Sequence, residues 1–178
     1  MPLYGRQTQG ASWVDCEIDV YGRLITLPGD EPIVATHVCL QTTAGVSGNV
    51  KAALYRLGDD ALAYESNQLA VAEDTIGGWK SISWPATTPA AGLYYLSIAG
   101  GPIAGGANTI NIAYDLVAAS TNFRGDTNIL AGAQSIYPTL PNPIAWAGAD
   151  GTYDISIYLE TSGGLLVRGS SLLLMGVG

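Results

Sequence analysis

Apolar and polar residues alternate along most of this chain. Val50, Ala52 and Leu54 fall on one face and Lys51, Ala53 and Tyr55 on the other, the period of two that marks a β-strand. The same alternation runs through Trp79 to Trp84, Leu93 to Ile98, Thr109 to Tyr114 and Thr152 to Glu160. Further strands are expected over Trp13 to Val20, Arg23 to Leu27, Val34 to Thr42, Ala61 to Ser66 and Leu69 to Glu73. Turn formers separate them: Gly45, Gly48, Gly58-Asp59-Asp60, Gly77-Gly78, Pro85 and Gly100-Gly101-Pro102. No stretch joins a helical period to a helix cap, so very little helix is expected. Roughly ten short strands at such spacing predict an all-β, antiparallel sandwich or barrel.

Three parts follow from this pattern. An N-terminal arm (1–30) closes on Leu27-Pro28-Gly29-Asp30, a β-sandwich spans 31–162, and a C-terminal tail covers 163–178. The arm either adds strands to the sandwich or crosses to a neighbour. Pro138, Pro141 and Pro143 exclude a central strand, because each removes a ladder donor, so Gln134 to Pro143 is expected as an extended surface loop. The tail carries Leu165, Leu166, Val167, Leu172, Leu173, Leu174 and Met175 among Gly and Ser, which oppose a stable helix. Left in water it would be an aggregation hazard, so it either closes its own sandwich or adds a strand to a neighbouring subunit.

Composition narrows the partners. Charged residues are 12% of the chain, about half the usual ~25%, while apolar types reach 48%; much of the surface is therefore neutral. Such a surface is solvated by Ser, Thr, Asn and backbone, or packed against copies of the chain or a larger body. The net charge of -8, with seven scattered Lys and Arg, excludes ordinary phosphate binding, so neither nucleic acid nor an anionic membrane is expected as a partner. The start, Met1-Pro2-Leu3-Tyr4-Gly5-Arg6-Gln7, has no apolar signal region, and Leu172 to Met175 is far too short to span a bilayer. Synthesis in a cytosol and use without classical export are expected.

Chemistry is sparse. The one histidine, His37, lies in an alternating strand, and no nucleophile-elbow, phosphate-loop or zinc-protease motif occurs, so His37 reads as a structural residue and the chain as no enzyme. Cys16 and Cys39 lack metal-ligand spacing, and one histidine cannot complete a zinc set with them; no metal and no cofactor are expected. Whether the two thiols are bonded or free is left open. Asp30-Glu31, Asp59-Asp60, Glu73-Asp74 and the Asp150/Asp154 pair sit at turns, where Asp bonds its own backbone; calcium ligation and glycosidase chemistry are the alternatives.

Ten Tyr and four Trp stand against one Phe, a bias that suits interfaces, sugar stacking and half-buried strand positions alike. Trp79 and Trp84 must point to opposite faces of one strand, as must Tyr94 and Tyr95, and Tyr153 and Tyr158. Trp79, following Gly77-Gly78, is expected in the core. Trp84, Tyr95, Trp146, Leu172 and Leu174 are the candidate interface or ligand contacts.

The run Val50-Lys51-Ala52-Ala53-Leu54-Tyr55-Arg56, then Leu62-Ala63-Tyr64-Glu65-Ser66, Gly78-Trp79-Lys80-Ser81-Ile82-Ser83-Trp84-Pro85 and Ala91-Gly92-Leu93-Tyr94-Tyr95-Leu96-Ser97-Ile98 resembles the jelly-roll sandwich modules of bacteriophage structural and extracellular carbohydrate-binding proteins. The stretch from Tyr137 to Pro143 followed by Tyr153 to Tyr158 is similar to the closing part of such domains in phage particles. The turn after Leu54-Tyr55 departs from the family's usual Pro-Gly, carrying Gly58-Asp59-Asp60 instead. The resemblance implies a jelly-roll fold and a non-enzymatic virion protein, a capsid decoration (cement) or tail-associated subunit that assembles with its own copies and other virion proteins. Its alternative is an extracellular carbohydrate-binding or adhesion module with a glycan as partner.

Overall fold

The computed structural model describes residues 1–16, 20–42, 47–72, 75–101, 110–118, 120–126, 139–146 and 152–163. Among them the regular elements are all strands: β1 (Leu3–Gly5), β2 (Ser12–Asp15), β3 (Val20–Leu27), β4 (Ile33–Thr42), β5 (Gly48–Arg56), β6 (Leu62–Glu65), β7 (Leu69–Val71), β8 (Gly78–Ser83), β9 (Gly92–Gly100), β10 (Ile110–Leu116), β11 (Phe123–Asp126), β12 (Tyr153–Ile155) and β13 (Ile157–Thr161). Two antiparallel sheets pack into a β-sandwich. The first runs β1-β13-β4-β10-β12, with β8 on β4 and β2 on β10; the second runs β11-β3-β9-β5-β6, with β7 on β5.

Alternation places the core. From the first sheet Val38, Leu40, Ile82, Ile112, Ile157 and Leu159 point inward; from the second Ile25, Val50, Leu54, Leu96 and Ile98 meet them. Each fully buried aliphatic side chain contributes about 1.5–3 kcal/mol, so this layer is the principal source of stability.

The segment 1–30, set apart in the sequence as an arm, is woven into both sheets: β1 pairs β13, β2 pairs β10, and β3 lies between β9 and β11. Its strands complete ladders whose other edges are otherwise open, which is why a short segment such as Leu3–Gly5 is ordered at all. Arg6 ties this region down, pairing with Asp115 and Asp154, while Arg23 reaches the same Asp154 from the second sheet.

The turn Gly58-Asp59-Asp60 is a turn as expected. Gly58 and Asp60 both have positive φ, 112° and 53°, and Asp59 accepts from the Ala61 amide while pairing with Arg56. Where described, the proline-rich stretch forms no strand, and it does not float: Leu140 and Ile144 are buried on the outer side of the second sheet. Residues 127–138 and the tail 164–178, with Leu172 and Leu174, lie outside the described residues.

Candidate functional site

The sandwich has two outer faces, and their treatment differs. On the second sheet Ala53, Tyr55, Tyr95 and Ala99 form a second apolar cluster, capped by Leu140, Ile144 and Trp146. The cap is held at the β5–β6 turn by the Leu62 amide donating to Asn142 Oδ1 (3.0 Å), the Ile144 amide to the Asp60 carbonyl (3.0 Å) and Trp146 Nε1 to Asp60 Oδ1 (3.1 Å). Trp146 stands edge-on to Tyr55 and Tyr95, 5.8 and 5.5 Å between ring centres.

Three of the five candidate contact residues can therefore be placed. Tyr95 points outward from its strand but is only 1% exposed; its hydroxyl donates to the Thr121 carbonyl and accepts from Arg124 Nε. Trp146 is half-buried on the same cluster. Trp84 is a core ring, 9% exposed, with Nε1 donating to Thr36 Oγ1 at 2.9 Å. All three contacts are made within the chain. The expected roles of the two β8-region tryptophans are thus exchanged: Trp84 is inside and Trp79 outside. The register explains it, since Ile82 lies opposite Thr36 and faces the core, so position 84 follows it inward and position 79 cannot.

The outer face of the first sheet carries no such cap among the described residues. Neighbouring strands align Ser81, His37, Tyr158 and Gly5 in one row, and Trp79 with Cys39 in the next. The His37 and Tyr158 rings stack at 4.6 Å and 17°, and Trp79 leans on Tyr158 at 5.1 Å. Glu160 Oε2 lies 2.7 Å from His37 Nε2. Further along, Gln41, Asn111 and Asp15 are aligned across β4, β10 and β2. Trp13 lies over Gly77, where an added Cβ would sit 2.6 Å from the ring. Beside it Ile76 is 89% exposed.

Burial tunes the groups here. It raises the Cys39 thiol above its ordinary range, and it raises the Tyr158 hydroxyl with help from the nearby Glu160 carboxylate, so both are neutral at physiological pH. Cys39 and Cys16 are free and buried; Cys39 sits under the outer face while Cys16 belongs to the core cluster, so the sheet lies between them. Of the carboxylates expected at turns, Asp154 lies instead in strand β12, where Arg6 and Arg23 hold it, and Glu31 accepts from Tyr4 and Thr161. Among the described residues no three His, Cys, Asp or Glu side chains gather as a metal site. No known protein family, curated protein or solved structure matches the chain.

Sequence reasoning missed Trp13, Trp79, His37 and Glu160 as one surface. A signal was there: Trp79 shares its side of the strand with Ser81 and Ser83, whereas Trp84 shares its side with Ile82. Lys80, on that same inward side, made it look polar.

Proposed function

We propose that this protein is a non-enzymatic structural subunit of a virus particle, a bacteriophage capsid-decoration or tail-associated protein of jelly-roll type. It docks on copies of itself or on other virion proteins through the outer face of its first sheet. The observation that carries the reading is the make-up of that face: Trp13, Trp79 and Tyr158, half-buried, beside the exposed Ile76, with the one carboxylate of the Trp79–Tyr158–His37 cluster bonded to His37. Aromatic enrichment with few free charges is the composition of the buried centre of a protein–protein interface. The low share of charged residues supports the same reading.

A second reading has its own support. Flat rings beside Glu160, Gln41 and Asn111 offer both stacking and hydrogen-bonding groups to a neutral glycan. The experiment compares the chain with Trp13→Ser and Trp79→Ser, with circular dichroism as the folding control. The assembly reading expects stoichiometric co-purification with particles and a symmetric oligomer, both lost in the folded variants. Retention of docking in both variants would refute it. A monomer retarded on a glycan affinity gel, and released by the same substitutions, would establish the second reading instead.

A further inference from the structure

We propose that the outer edge of β8 is a strand-addition site for an extended acidic segment of a partner, selected by Lys80. The site borders the open face but does not depend on docking there, because its hydrogen-bonding groups belong to the main chain. β8 pairs with β4 along one side only. In an antiparallel ladder the N–H and C=O of one residue point to the same side, and successive residues alternate. The Ser83 carbonyl turns away from β4 and accepts from the Asn67 amide at 3.0 Å, while Asn67 Nδ2 donates to Ser83 Oγ at 3.1 Å. Ser81 and Trp79, two and four positions earlier, therefore turn their main-chain groups to that same side. Strand β4 agrees, since the Cys39 amide, opposite Trp79, bonds Ser156 and not β8. No described residue bonds the main chain of Trp79 or Ser81 there, which leaves two donors and two acceptors along an open edge.

Lys80 sits between these two residues. It shares the inward side of β8 with Ile82, is half-buried, and lines a pocket of about 140 Å³ with Leu69, Val71 and Thr75 at the flank of the sandwich. Among the described lysines and arginines it alone has no hydrogen bond or ion pair with a described residue: Lys51, Arg6, Arg23 and Arg56 hold carboxylates, and Arg124 bonds Tyr95. An inward-directed charge on an edge strand opposes indiscriminate pairing. A strand added antiparallel to β8 sets one residue directly opposite Lys80. Because Lys80 turns its own main chain to β4, that position is a non-hydrogen-bonded pair, where side chains stand closest. An Asp or Glu there meets the ammonium at the mouth of the pocket, whereas a Lys or Arg is repelled.

The same geometry disfavours a second copy of β8. Pairing about Lys80 sets the two ammonium groups against each other, and pairing about Ser81 sets Trp79 against Ser83, whose outward carbonyl Asn67 already takes. The C-terminal tail fits poorly as well, since its one charged residue is Arg168. Charge complementarity thus selects a segment with a carboxylate opposite Lys80, its flanking side chains lying beside Trp79 and Ser81 on the outer face.

Two end-capped peptides, Thr-Val-Glu-Val-Thr and Thr-Val-Lys-Val-Thr, test the site on the full chain at low ionic strength, with amide hydrogen exchange read at Trp79 and Ser81. The Glu peptide should slow exchange at both amides several-fold, and the Lys peptide should not. In Lys80→Glu the preference should invert, the Lys peptide now protecting the same amides, which also shows that the variant is folded. If Lys80→Glu does not fold, Lys80→Gln should erase the difference between the peptides. Equal protection by both peptides in wild type, protection by neither, or exchange already slow at both amides in the free chain would overturn the proposal. Protection should persist in Trp79→Ser, whose main chain is unaltered, even where docking through the open face is lost. Its disappearance there would mean that the ring and not the edge holds the peptide, and would overturn strand addition.

Discussion

The outer faces of the two sheets are both aromatic, yet among the described residues one is sealed and the other open. Tyr55 and Tyr95 lie beneath Leu140, Ile144 and Trp146, whereas Trp13, Trp79 and Tyr158 remain half-exposed. The sealed rings therefore contribute fully to folding, and the open ones only in part. An aromatic surface that no described residue covers is available to a partner. Strand β9 shows the contrast within one element: both its faces are buried, from Tyr94 to Gly100, because the core lies on one side and the cap on the other.

The sharpest way to break this comparison is to truncate one ring in each environment. Tyr95→Ala in the sealed cluster, and Trp84→Ala in the core, should each cost about 3–5 kcal/mol, read as a large fall in denaturation midpoint. Trp79→Ala on the open face should cost less than about 2 kcal/mol, since its ring is already part-exposed. Equal losses at Tyr95 and Trp79 would mean that the two faces serve folding alike.

The sealed cluster also holds a defect. The Tyr55 hydroxyl is buried without a hydrogen-bond partner among the described residues, and burial pushes its pKa above the usual tyrosine range. Tyr55→Phe removes an unsatisfied polar atom at nearly constant shape and should stabilise by about 1 kcal/mol, a rise of a few degrees in Tm. A drop would reveal a partner for the hydroxyl.

On the open face the corresponding probe is Gly77→Ala, whose new methyl would stand 2.6 Å from the Trp13 ring. The ring should be displaced, altering tryptophan emission with only a small change in stability, and the proposed docking should weaken as is expected for Trp13→Ser. Unchanged emission would mean that backbone shifts, rather than Trp13, absorb the clash.

The smallest effect concerns the acid limb. The Ala11 amide, first, and then Arg6 hold the Asp115 carboxyl below its ordinary pKa. A depressed carboxylate stabilises the fold above the unfolded pKa of about 4 and loses that contribution as pH falls further. Because the Asp115 side chain is 40% exposed, solvent screens the pair and the contribution is modest. Asp115→Asn should flatten the loss of Tm below about pH 4 while leaving the open face intact.

Much of this architecture was legible in the alternation itself. A period of two needs only the local pleat, so the strands over β4, β5, β8, β9 and β10, and the antiparallel pairing implied by short turns, were readable without any contact information. Gly58-Asp59-Asp60 was readable for the same reason, because a turn is made by its own residues. Alternation assigns residues to two sides but does not say which side is inside: Trp79 and Trp84 were separated correctly and then placed the wrong way round. That choice belonged to the register of β8 on β4, a contact between residues about forty positions apart. The fates of Tyr95 and Trp146 depended on Leu140 and Ile144 crossing the back of the second sheet, and the His37–Glu160 contact joins residues 123 positions apart. Non-local packing of this kind leaves no local periodicity, so only the tertiary structure decided which aromatic face is sealed and which stays open among the described residues.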